Sequence, residues 1–177
     1  GRIERPPEDT VAALFAKTAE FLRASGYLHY EISNFARSVA HRSRHNRKYW
    51  TLAPTLGLGP SAHSFIDEPP TRWWNLADVK RYLQEIESGR RPVKEKEELT
   101  PAQSMSEAIF LALRTAEGID GAAFEQRFTV SFDRMFGELV NELTSDGLLY
   151  RSGGRWAPTL RGMLFSDSLA VRFIERI

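Results

Sequence analysis

The side chains able to do chemistry gather in three places. Residues 37–48 carry Arg37, Arg42, Arg44, Arg47 and Lys48 with His41 and His45 and no acid, and Tyr49-Trp50 completes the run. Clustered cations beside aromatic rings can neutralise phosphates and stack bases. The same composition also suits a solvated loop, or a site where Arg and His hold a small anion with several carboxylates. The second place is Gly57-Leu58-Gly59-Pro60-Ser61-Ala62-His63. Its glycines allow a tight turn and close backbone approach, but a dinucleotide fingerprint would need a third glycine where Ala62 stands. The third place is the polar set His29, Glu31, Ser33 and Asn34. His45 and His63 lack metal-site spacing and no Ser-His-Asp or zinc signature is present, so no catalytic residue and no metal ligand is assigned.

The elements that must position these groups can be read from periodicity. Pro6-Pro7-Glu8-Asp9 opens a helix whose apolar positions are Val11, Leu14, Phe15 and Leu22, and Gly26 ends it. Residues 27–33 alternate as a strand, with Leu28, Tyr30 and Ile32 on one face and Tyr27, His29, Glu31 and Ser33 on the other. An antiparallel surface strand alternates in this way. So does a strand entered from a helix in a parallel barrel, whose inner face would turn His29, Glu31 and Asn34 toward a lumen. Residues 54–65 suggest a short strand passing into the glycine turn, and a second amphipathic helix is expected from Asn75 as N-cap through Leu76, Val79, Leu83 and Ile86.

Residues 90–99, charged and containing Pro92, read as a solvated linker that separates 1–89 from 100–177. Charge shifts at the same place: residues 1–99 hold 16 Lys and Arg against 13 acids, the remainder 8 against 10. Beyond it, Thr100-Pro101-Ala102-Gln103 is a capping box, followed by a helix with Met105, Ile109, Ala112 and Leu113 inward. A short helix near 120–127, a longer one bearing Phe132, Phe136, Leu139, Val140 and Leu143, a hairpin turning at Gly153-Gly154 and a last helix complete a winged-helix-like pattern. Its third helix carries Asp133, Glu138, Glu142 and Asp146 against Arg134 alone, which repels phosphate and argues against DNA reading.

With 177 residues, no cysteine and a net charge of +1, the chain excludes disulfide scaffolds, thiolate zinc sites and cysteine-ligated clusters within itself. No long apolar stretch or signal-like leader stands out, so a soluble, cytoplasmic protein is expected. Gly1 in place of an initiating Met suggests a fragment.

Three strings occur in order: Tyr30-Glu31-Ile32-Ser33-Asn34-Phe35-Ala36, His45-Asn46-Arg47-Lys48-Tyr49-Trp50, and Gly57-Leu58-Gly59-Pro60-Ser61-Ala62-His63-Ser64. Together they resemble the oxygen-independent coproporphyrinogen III oxidase-like family of radical S-adenosylmethionine proteins, most closely its heme-chaperone branch. The resemblance implies an α/β plus α+β architecture: the last part of an incomplete (β/α) barrel over 1–89, the linker at 90–99, and a small winged-helix-like domain over 100–177. It implies heme binding at His45, Asn46, Tyr49 and Trp50, with His63 and Tyr49 near S-adenosylmethionine and His29, Glu31 and Asn34 in the lumen. The family's CxxxCxxC segment, which holds a [4Fe-4S] cluster in the full-length parent, has no counterpart here, so no radical activity is expected of this chain. Expected partners are porphyrin or heme and a heme-accepting protein, with no nucleic acid. The strand at 27–33, without a barrel neighbour, is expected either to self-associate through its open edge or to be disordered. The alternative is a stand-alone module that docks an anionic partner or nucleic acid through residues 37–48.

Overall fold

The computed structural model describes residues 6–177, and Gly1 lies outside them. The chain divides into two compact units: one runs through Ser43 and resumes over Ile109–Ile177, and the other is Arg44–Ala108. Both are mixed α/β with small antiparallel sheets of two or three strands.

In the first unit, helix α1 (Glu8–Ala24) begins after Pro7, with Glu8 and Asp9 in its first turn where acids complement the helix dipole. Strand β1 (Leu28–Glu31) then turns directly into β2 (Asn34–Ala36), pairing Leu28 with Ala36 and His29 with Phe35. The antiparallel pairing is the first of the two readings of 27–33, and β1 has no parallel partner among the described residues. Two connecting residues can close only a hairpin, whereas a parallel crossover needs a dozen or more. The outer edge of β1 is also occupied at its C-terminal end. Ile32 N–H donates to Arg114 O and Ala116 N–H donates to Tyr30 O, both at 3.1 Å. The open edge expected to drive self-association is therefore closed at Tyr30–Ile32 by residues 114–116.

The rest of this unit is built around phenylalanines. Helix α5 (Gly121–Phe128) is capped by Asp120, whose carboxylate accepts from Ala123 N–H at 2.9 Å. Helix α6 (Phe132–Ser145) buries Phe132, Phe136, Leu139, Val140 and Leu143, an i, i+4, i+7, i+8, i+11 stripe. The rings of Phe124, Phe132, Phe136 and Phe173 meet at centroid distances of 5.1–6.2 Å, and each fully buried Phe is worth about 1.5–3 kcal/mol of hydrophobic stabilisation. Strand β6 (Ile119–Asp120) joins β8 (Arg155–Pro158), which pairs with β7 (Leu149–Ser152), in the order β6-β8-β7. The β7–β8 hairpin turns at Gly153 and Gly154, both at positive φ, as a two-residue primed turn requires. The single last helix expected from sequence is two helices, α7 (Leu160–Leu164) and α8 (Ser166–Ile174), separated at Phe165.

In the second unit, helix α2 (Arg44–Trp50) precedes a sheet of β3 (His63–Asp67), β4 (Pro70–Asn75) and β5 (Val93–Glu98), in that order, with α3 (Val79–Glu87) between β4 and β5. Strand β5 corrects the linker expected at 90–99. Its alternating Lys and Glu lack an apolar face, and the backbone ladder to β4 is joined by one cross-strand charge pair. Arg72 on β4 sits directly opposite Glu97 and pairs with it at 2.7 Å, and the same guanidinium meets Glu107 of α4 (Pro101–Ala112). Two further expectations shift by a few residues. Helix α3 is capped by Asp78, accepting from Arg81 N–H at 2.8 Å, because Asn75 is the last residue of β4. Regular strand structure follows the glycine turn instead of preceding it; before the turn only Thr55 pairs, with Phe65. The capping box is formed as read: Gln103 N–H donates to Thr100 Oγ1 and Thr100 N–H donates to Gln103 Oε1.

Candidate functional site

Helix α2 carries most of the heme-associated set. Its seven residues place His45 and Tyr49 four apart, on one face, with ring centroids 5.0 Å apart in an edge contact. Both are exposed, Tyr49 at 44%. Asn46 and Trp50 are half-buried, and the Trp50 indole N–H is a buried donor without a hydrogen-bond partner among the described residues. The helix is closed by Thr51, whose hydroxyl donates to Arg47 O at 2.8 Å, and by Leu52 at a φ of 52°.

The basic run is divided between the two units. In the first unit, Arg37 lies over the Tyr27 ring at 4.8 Å, and Arg42 lies over Tyr30 while pairing with Glu117 at 2.5 Å. In the second unit, Arg44, His45, Arg47 and Lys48 are exposed along α2. Within its own unit, the positive charge along α2 is a short helical set.

The glycine turn is held from several directions. A Cβ on Gly57 would stand 2.3 Å from His63 O, so only glycine permits the chain to pass there. Gly57 N–H donates to Ser64 Oγ at 2.9 Å and Gly59 N–H to the Tyr82 hydroxyl at 3.2 Å. The Asn75 amide donates to Gly59 O at 2.9 Å and to Gly57 O at 3.3 Å. Because both glycine amides donate within the unit, neither is left for a phosphate, and the turn acts as a rigid support. It leads into His63, exposed and stacked on Trp74 at 5.7 Å. Ser64 belongs to the glycine string read from the sequence, whereas Trp74, Asn75 and Tyr82 join this region only in the fold. Asn75 was visible as a helix-cap residue type, yet only the folded sheet brings its amide to the turn.

In the first unit the hairpin residues satisfy one another. His29 Nε2–H donates to Ile32 O at 3.0 Å, the ring stacks on Phe35 at 4.2 Å with an 11° interplanar angle, and Phe15 meets its edge. Burial holds its pKa below the ordinary 6.5, and the Arg23 charge acts in the same direction. Glu31, 2% exposed, accepts from the Asn34 amide at 2.7 Å. Ser33 is exposed in the turn, so the expected polar face does not extend to it. His29, Glu31 and Asn34 therefore lie together in one unit, and His45, Asn46, Tyr49, Trp50 and His63 lie in the other.

Residues 99–165 match the family described as the HemN C-terminal domain. Over all 177 residues the sequence is 30% identical to the heme chaperone HemW of Bacillus subtilis, covering 46% of that protein. The chain is homologous to the C-terminal part of the HemW heme chaperones. The HemW of Lactococcus lactis is 31% identical over 98% of the chain and 45% of its own length. A bovine protein named radical S-adenosyl methionine domain-containing protein 1, mitochondrial, is 28% identical, with all of this chain and 42% of that protein covered. The structure of coproporphyrinogen III oxidase (HemN) from Escherichia coli, a radical SAM enzyme, aligns with a TM-score of 0.63 over 97% of this chain and 42% of its own, at 18% identity, which shows a shared fold. The chain spans less than half the length of these relatives. It contains no cysteine and so no thiolate ligand for an iron–sulfur cluster. No helix among the described residues is long and apolar enough to cross a membrane.

Proposed function

We propose that this chain is the C-terminal part of a coproporphyrinogen III oxidase-like protein of the heme-chaperone type, and that helix α2 presents His45, Asn46, Tyr49 and Trp50 to heme. The observation that carries the reading is the exposed His45–Tyr49 pair on one helical face, in a sequence similar to heme chaperones along its whole length. In this reading residues 1–89 correspond to the last part of an incomplete (β/α) barrel, and the helices and hairpin beyond 100 to a winged-helix-like domain.

The donor set of α2 suits heme as cargo. An exposed imidazole offers a nitrogen ligand to iron, and Tyr49 restrains its ring from the side. The Tyr49 and Trp50 rings supply flat apolar surface for a porphyrin, and Arg44, Arg47 and Lys48 attract propionates. The rigid turn at Gly57–Gly59 supports His63, which the family resemblance would set, with Tyr49, beside S-adenosylmethionine. The chain's own residues do not fit an iron–sulfur cluster, because every such cluster in this family needs thiolates and none is present. The tight packing of His29 on Phe35 favours a supporting role for that residue over direct ligand contact.

Absorption titration with hemin tests the reading. The wild-type chain should show a saturable, shifted Soret band, and His45→Ala should lose the shift. Identical spectra and affinities in the two proteins would remove His45 from the site.

A further inference from the structure

We infer that the second unit holds a separate anion-binding cleft, formed where β4 gives way to α3 and where β5 begins. A depression of about 540 Å3 is lined there by Leu76, Ala77 and Val93, by the cations Arg81, Arg91 and Lys94, and by the acids Asp78 and Glu85. The volume is in the range of small-molecule sites. What sets it apart from an ordinary charged surface is how its charges are committed. Asp78 caps α3 through Arg81 N–H, and Glu85 is gripped by Arg90 at 2.6 and 3.1 Å, outside the lining. Both acids already hold a donor, and the Arg81 charge also acts on Glu85, whereas the side chains of Arg91 and Lys94 have no ion-pair or hydrogen-bond partner among the described residues.

Backbone contacts make the arrangement reproducible. Leu76 N–H donates to Pro92 O at 2.8 Å, tying the end of β4 to the residue between Arg91 and Val93, and Arg90 N–H donates to Glu85 O at 2.9 Å. Arg81 is carried by the first turn of α3, and Arg91 and Lys94 flank Pro92 and Val93 on the entry to β5. Three cations, from the start of α3 and the entry to β5, therefore line one depression with two acids, leaving it one positive charge in excess. Two guanidinium groups grip paired oxygens in a planar fork, and the lysine adds a point charge. The ligand chemistry this recognises is a small molecule bearing two or more acidic oxyanion groups on a short carbon or phosphoanhydride frame. The inference does not depend on heme binding at α2, since no residue is shared.

The test is titration of the full chain, followed by 15N–1H correlation spectra, with tricarballylate in one series and inorganic pyrophosphate in another. Saturable shifts are expected at residues 76–78 and 91–94. Affinity should fall about tenfold in Arg81→Ala and in Arg91→Ala, and stay unchanged in Lys80→Ala, an exposed cation of α3 outside the lining. Response to one series alone identifies carboxylate or phosphate as the natural group. An absence of saturation with both anions, or equal weakening in Lys80→Ala, overturns the assignment. The spectra report folding of each variant directly.

Discussion

Replacing His29 by phenylalanine isolates one titration in the β1–β2 hairpin. The histidine is buried, stacked on Phe35 and bonded through Nε2–H to Ile32 O, so a proton arriving at Nδ1 finds no hydrogen-bond acceptor among the described residues. Burial, then the charge of Arg23, hold its folded pKa below 6.5, while the unfolded chain protonates near that value. A depressed folded pKa gives stability that is fully present above about pH 6.5. It is lost as the pH falls toward the folded pKa, because the unfolded state takes up the proton first. One group can change stability by at most about 1.4 kcal/mol per pH unit in that window. Phenylalanine keeps the ring on Phe35 and removes the titration. Urea unfolding followed from pH 8 to pH 5 should show wild-type stability falling below pH 6.5 and the His29→Phe curve flatter by up to this slope. The carboxyls of Glu85 and Glu98, lowered by their hydrogen bonds to Arg90 and Lys96, titrate below 4.5 and lie outside the window. Parallel pH profiles for the two proteins, or stability that rises as wild type is acidified, would refute the reasoning.

Three further perturbations separate the forces at work. Gly57→Ala drives a methyl group into the His63 backbone at 2.3 Å, and overpacking of this kind costs about 1–3 kcal/mol; thermal unfolding should show the loss, and an unchanged midpoint would mean the turn can move aside. Phe136→Ala empties a fully buried position between Phe124, Phe132 and Phe173 and should cost about 3–5 kcal/mol in denaturant unfolding, with a value below 1 kcal/mol contradicting the core described. Arg72→Met breaks the pairs with Glu97 and Glu107 but keeps the stem over the sheet, so about 1 kcal/mol is expected at low salt, shrinking at high salt because the three side chains are about one-third exposed. A loss that does not respond to salt would point to packing as the cause.

Where structure follows from neighbours in sequence, it was legible. The capping box at Thr100 and Gln103, the Gly153–Gly154 hairpin and the buried stripe of α6 depend on residues within a turn or two of each other, and all are formed. Strand β5 was hidden because Lys94-Glu95-Lys96-Glu97 has the composition of a solvated segment, and its partner Arg72 lies more than twenty residues upstream. The same non-locality explains Asn75. Its type suits a helix cap, yet Asp78 takes that role once β4 extends to residue 75 and aims the Asn75 amide at the glycine turn. At the candidate site, residue types were legible and their partners were not. His45 and Tyr49 sit at helical spacing, but nothing local separates Arg37 and Arg42, engaged by Tyr27 and Glu117, from the cations of α2.

Comparing hemin with metal-free protoporphyrin IX shows whether α2 offers His45 to the iron of heme. Both ligands have the same ring and propionates, so aromatic stacking and the Arg44, Arg47 and Lys48 charges serve them alike, and only coordination distinguishes them. Fluorescence-quenching titrations of the chain, monitored through its tryptophans, should show hemin binding at least tenfold tighter than protoporphyrin IX, with the difference gone in His45→Ala. Equal affinity for the two porphyrins in the wild-type chain, or an unchanged preference for hemin in His45→Ala, would contradict the account.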